Sequence, residues 1–122
     1  MATLKIYLAV MLGGAVGTGL RMACAAWCAA KYGEAFPVGT LVVNVSGSFA
    51  IGLAAALLDT RGLVAQVVMV GVLGGFTTFS SFSLATLHLL SAGEWLRAVA
   101  NVGLSVALCL AAVWLGHAAG KL

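Results

Sequence analysis

The residues of this chain that could do chemistry are mostly neutral, and they cluster. One run reads Gly71-Val72-Leu73-Gly74-Gly75-Phe76-Thr77-Thr78-Phe79-Ser80-Ser81-Phe82-Ser83, with five hydroxyl residues in the seven positions from Thr77 to Ser83. Gly, Ser and Thr all weaken a helix, so the run predicts an interruption that frees backbone carbonyls. Such groups suit a hard cation, and lipid tolerates them only when they are buried in protein or face a wet cavity. Phe76, Phe79 and Phe82 recur three apart, as do Thr77, Ser80 and Ser83. Rings at this spacing serve either as core packing or as a row of positively polarised edges. Edges of that kind would hold a small anion firmly enough to admit it and weakly enough to release it.

Two further polar stripes have a spacing of four, which puts each on one helix face: Thr40, Asn44 and Ser48, then Asn101, Ser105 and Cys109. An asparagine in hydrocarbon must find partners or water. The stripes are therefore either interhelical hydrogen-bonding rows or the walls of a polar path, and two in so short a chain favour the path. Arg21 has two readings as well, snorkelling to an interface or capping polar groups and drawing anions to an entrance. His88 and His117 read as interface side chains. Cys24, Cys28 and Cys109 read as small apolar residues, because Cys24 and Cys28 lie four apart and lack the spacing of a metal knuckle. With no defensible nucleophile–base set, phosphate loop or ligand cluster, the chain is expected not to be an enzyme.

The elements that must position these residues follow from composition. The 122 residues are 63% hydrophobic and 7% charged, against about 45–50% and about 25% in soluble domains. Mean hydropathy is +1.16. Nine charged side chains cannot cover a soluble domain of this size, and no Lys or Arg adjoins another, so a nucleic-acid surface is excluded. Four apolar stretches reach the length of about 20 residues that a membrane helix needs. They run over about 6–27, 38–58, 63–90 and 96–115, and together they predict a single all-α transmembrane domain. The first carries Arg21 and is longer than a signal-peptide core, so it reads as a retained span. Four spans put Lys5, Arg61 and Lys121 on one side, and Lys31 and Arg97 on the other, with Arg21 able to join them. Positive charge normally fixes orientation; this balance predicts insertion both ways up, and hence antiparallel pairing of two copies.

Three motifs carry a resemblance. They are Gly13-Gly14-x-x-Gly17-x-x-x-Arg21, Pro37-x-Gly39-Thr40-Leu41-x-x-Asn44-x-x-Gly47-Ser48-Phe49, and the run from Gly71 to Ser83. In that order, the chain resembles the small bacterial fluoride channels, the Fluc or CrcB-type proteins. The resemblance implies an antiparallel dual-topology homodimer in the inner membrane, with two fluoride pores and passive export of fluoride. It implies a structural sodium ion held by backbone carbonyls at Gly74 and Thr77 of both copies. Phe79, Phe82 and Asn44 fall on the family's pore positions, with Ser80 and Ser81 as further donors. Asn101, Ser105 and Cys109 align with its fourth-span polar track, where Tyr and Ser are usual. Members commonly carry Glu where this chain has Ala85.

Two rivals have different requirements. A proton-coupled exporter of the small multidrug-resistance type needs a carboxylate within the membrane, whereas Glu34, Asp59 and Glu94 all read as loop residues. A non-transporting scaffold subunit would use the glycine faces and need no pore.

Overall fold

The computed structural model describes residues 2–122. Its element order is α1 (Ala2–Tyr32), α2 (Val38–Leu57), α3 (Leu63–Ala65), a π-helical segment (Gln66–Val72), α4 (Leu73–Phe76), α5 (Phe79–Ser91) and α6 (Trp95–Gly120). Four helical stretches, Ala2–Tyr32, Val38–Leu57, Leu63–Ser91 and Trp95–Gly120, are long and apolar enough to cross a membrane. The chain is a multi-pass membrane protein.

The first helix outruns its apolar window at both ends. At the C-terminal end, the Lys31 ammonium lies 4.8 Å from the Trp27 ring centroid and 5.6 Å from that of Tyr32. A cation in the last turn complements the helix dipole while its stem covers aromatic surface. The helix stops at Gly33, whose φ of 76° is the left-handed conformation that a helix-ending glycine adopts readily. Gly93 closes α5 in the same way, with φ 77°.

Packing follows small residues. Gly52 of α2 lies against the Val113 carbonyl of α6, and Gly116 of α6 against the Phe49 carbonyl of α2; a side chain at either would collide with backbone. α1 packs by the same device on the third stretch: Gly17 abuts the Val72 carbonyl, and Gly75 abuts the Gly14 carbonyl. In lipid, where burying apolar surface gives little drive between helices, close backbone approach of this kind supplies the association.

Between Gln66 and Val72 the helix widens to π geometry, and the Leu73 N–H donates to Val68 O five residues back. α4 then ends at Phe76. Thr77 and Thr78 are extended, with φ/ψ of −83°/158° and −154°/121°, and α5 begins at Phe79.

Gly17→Ala is expected to cost about 1–3 kcal/mol, because the new methyl meets backbone that cannot move aside. Gly19, with nothing within 4 Å of an added methyl, is the control, and Gly19→Ala should leave stability unchanged or raise it by up to about 1 kcal/mol, since alanine is the better helix former. Unfolding of the two purified variants in mixed detergent measures the difference.

Candidate functional site

The site is built around the extended pair Thr77–Thr78. The Thr78 N–H donates to Asn44 Oδ1 at 2.8 Å, and Asn44 Nδ2 donates to the Thr78 carbonyl at 2.9 Å. One side-chain amide from α2 thus satisfies both backbone groups of an extended residue, as a neighbouring strand would. In apolar surroundings these groups must be paired, so Asn44 is what allows the helix to stop here. Thr78 also caps α5: its Oγ1 accepts from the Ser81 N–H at 3.1 Å, as an N-cap threonine does. The Ser80 hydroxyl lies 3.3 Å from the same Oγ1.

These bonds divert two helical donors. In an unbroken helix Thr78 N–H would serve the Gly74 carbonyl, and Ser81 N–H would serve that of Thr77. With both donors engaged elsewhere, the carbonyls of Gly74 and Thr77 are released from the ladder. The Gly75 carbonyl between them accepts from Arg21 Nε at 3.1 Å. Leu73 O takes the Thr77 N–H at 3.0 Å and the Thr77 hydroxyl at 2.9 Å. Arg21 therefore brings positive charge to the C-terminal end of α4, where the dipole is negative.

Beside the extended pair lies a cleft of about 560 Å³, lined in part by Asn44, Gly47 and Ser48 of α2, by Leu73, Gly74, Thr77, Thr78, Phe79 and Phe82 of the third stretch, and by Ser105 and Cys109 of α6. Among the described residues, none that lines it is charged. The rings of Phe79 and Phe82 stand 5.3 Å apart at 35°. Phe82 is buried, whereas Phe79 is 78% exposed in the single chain.

The structure gathers Asn44, Gly74, Thr77, Phe79, Phe82, Ser105 and Cys109 at this cleft, and it leaves others outside. Ser80 and Ser81 sit at the cap of α5, and Arg21 sits against Gly75. Thr40, first of its stripe, lines a separate cavity of about 440 Å³ with Glu34 and His88. Asn101 is fully buried and donates through Nδ2 to Thr86 Oγ1 at 2.9 Å. Ala85 is half-buried on α5 and does not line the cleft. The residue that sequence reasoning passed over is Thr78. Its signal was a hydroxyl residue directly before a helical run, the ordinary mark of an N-cap.

Residues 8–117 match the family model described as CrcB-like protein, Camphor Resistance (CrcB). The chain belongs to the CrcB-like family. Among its CrcB-like relatives is the fluoride-specific ion channel FluC of Opitutus terrae, 55% identical over 122 residues that cover 95% of this chain and 92% of that protein. Similar too are the proteins of the same name from Rhodospirillum rubrum, 52% identical over 117 residues covering 91% of each chain, and from Methylocella silvestris, 49% identical over 117 residues covering 91% of this chain and 89% of the other.

Asn44→Leu keeps the volume but leaves both Thr78 backbone groups unpaired, at about 1–3 kcal/mol for each. Its thermal midpoint in detergent should fall well below that of the unaltered chain. Ser46→Ala, which removes a hydroxyl bonded to Val42 O within its own helix, should leave the midpoint in place.

Proposed function

We propose that this CrcB-like chain is a fluoride-specific ion channel that exports fluoride passively from the cytoplasm across a bacterial inner membrane. The observation that carries the reading is a cleft furnished with neutral hydrogen-bond donors and aromatic edges, whose described lining residues are all uncharged. Fluoride is small and strongly hydrated, so a path must replace its water with donors. The Asn44 amide retains a second hydrogen beyond the one given to Thr78, and the hydroxyls of Ser48 and Ser105 line the same cleft. The edges of Phe79 and Phe82 add positive quadrupole without a fixed cation's grip. The names of the relatives point to the same ion.

The working unit is an antiparallel homodimer of dual topology with two pores. Support comes from the near-even sharing of Lys and Arg between the two sides, and from Phe79 and Gly74, both exposed in the single chain, which a second copy would cover. The Gly74 and Thr77 carbonyls, released from the helical ladder, fit a structural sodium ion, because they are neutral, hard oxygen donors. The same two carbonyls of a second copy would complete the set. When bound, sodium would add fixed positive potential between the copies. The chain's own part is to keep those carbonyls free, which Asn44 and Thr78 do.

Fluoride enters a cell as its neutral acid and ionises inside, and a negative-inside potential favours exit of the anion. No coupled proton carrier is required, and the acidic residues are placed accordingly. Glu34 and Asp59 lie between helices, and Glu94 directly precedes α6, 3.6 Å from Arg97 in an exposed pair.

The deciding measurement is fluoride efflux from liposomes holding the purified chain, read with a fluoride electrode beside a chloride control. Fluoride should leave rapidly and chloride should not. Phe79→Ile and Phe82→Ile should each abolish efflux while the protein still elutes as a dimer; efflux at the unaltered rate in either would remove that ring from the path. If Ala85→Glu restores conduction to an otherwise silent chain, Ala85 is the seat of the defect.

A further inference from the structure

Asn101 differs from the other polar residues of its stripe. Ser105 and Cys109, one and two turns on, line the cleft; Asn101 is 0% exposed and lies outside it. Its Nδ2 donates to Thr86 Oγ1 at 2.9 Å, and the Thr86 hydroxyl in turn donates to the Phe82 carbonyl at 2.8 Å. The direction of this chain is fixed, because the Thr86 hydrogen is committed to Phe82 O and Thr86 Oγ1 can only accept from Asn101. The remaining Asn101 oxygen is buried with no hydrogen-bond partner among the described residues. A buried carbonyl oxygen repels an anion, so Asn101 is ill suited to hold fluoride.

We infer that Asn101 and Thr86 are positioning residues: they tether α5 to α6 and hold the Phe82 ring in the cleft. Resting on the channel reading above, this gives the aromatic segment two fastenings by asparagine amides from different helices. Asn44 of α2 grips Thr78 at the start of α5, and Asn101 of α6 grips Thr86 about 12 Å further along the helix. Phe79 and Phe82 lie between. The tether is needed because α5 is cut off from α4 by the extended pair, so the covalent helix cannot set its rotation about its own axis. Linked hydrogen bonds in a low-dielectric interior strengthen one another, and this pair takes the place of the missing helical continuity.

The test places 4-fluorophenylalanine at position 82 and reads its fluorine resonance in detergent, alongside fluoride efflux from liposomes. Thr86→Val keeps the shape and removes the hydroxyl. It should broaden or split the resonance and slow efflux by about tenfold, as expected of a misplaced group at a site that depends on position. Thr86→Ser restores the hydroxyl and should return both readings to those of the unaltered chain. Asn101→Ala, which breaks the same link from the other helix, should reproduce Thr86→Val and serves in its place if the valine variant does not fold. An unchanged resonance in Thr86→Val or Asn101→Ala overturns the tether, as does failure of Thr86→Ser to rescue. Absence of fluoride efflux from the unaltered chain and from Ala85→Glu alike, with the resonance still responding to Thr86→Val, would overturn the channel reading and leave the tether standing.

Discussion

The structure depends on one exchange of hydrogen bonds, between the Asn44 amide and the backbone of Thr78. Apolar surroundings penalise any unpaired peptide group, which normally forces a spanning segment to remain helical throughout. A side-chain amide has the same donor and acceptor as a peptide group and can stand in for one. By presenting both to Thr78 at 2.8 and 2.9 Å, Asn44 removes most of the cost of leaving the helix. The other groups near the interruption fall into line around it. Thr78 turns its hydroxyl to Ser81, Arg21 takes the Gly75 carbonyl, and Thr77 folds its hydroxyl back on Leu73.

That exchange requires precise placement, and the glycines provide it. A hydrogen bond tolerates only a few tenths of an ångström, so α2 must approach the third stretch at a fixed distance. Gly47 sits where any side chain would collide with the Thr77 methyl, one turn beyond Asn44. Gly17 and Gly75 draw α1 onto the far side of the same stretch, which also brings Arg21 within reach of the Gly75 carbonyl. The glycine faces and the polar contacts are thus one mechanism: the first sets the spacing at which the second can form.

Much of this could be read from residue order, for identifiable reasons. Four spans are legible because lipid demands long apolar runs, a constraint local to each segment. The weak point around Gly74 to Ser83 is legible because helix propensity is local too, and the two residues that leave the helix, Thr77 and Thr78, belong to it. What residue order concealed were the partners. Asn44 stood out as a polar residue in an apolar span, but its partner is the backbone of Thr78, which carries no side-chain signature. Asn101 aligned with Ser105 and Cys109 by spacing, yet it faces Thr86 while the other two face the cleft, because small differences in helix rotation decide which side of a neighbour a residue meets. The π-helical turn at Gln66–Val72 has no signal at all in a run of valines, whose branching favours neither geometry.

The distribution of charge carries the last step. Arg21 reaches the interruption, its Nε turned to the Gly75 carbonyl, while the described residues lining the cleft are neutral. A guanidinium in the cleft would bind a small anion tightly, and a site that binds tightly releases slowly. Placed behind α4, the same charge offsets the negative end of that short helix and contributes potential at a distance. The cleft itself offers weak, directional contacts instead: an amide hydrogen, hydroxyls and ring edges. The polar ties that hold this geometry come from α2 and α6, the two helices most extensively packed on each other. The interrupted third stretch is therefore tied to both members of that helix pair, at Thr78 by α2 and at Thr86 by α6, with its aromatic pair between the two ties.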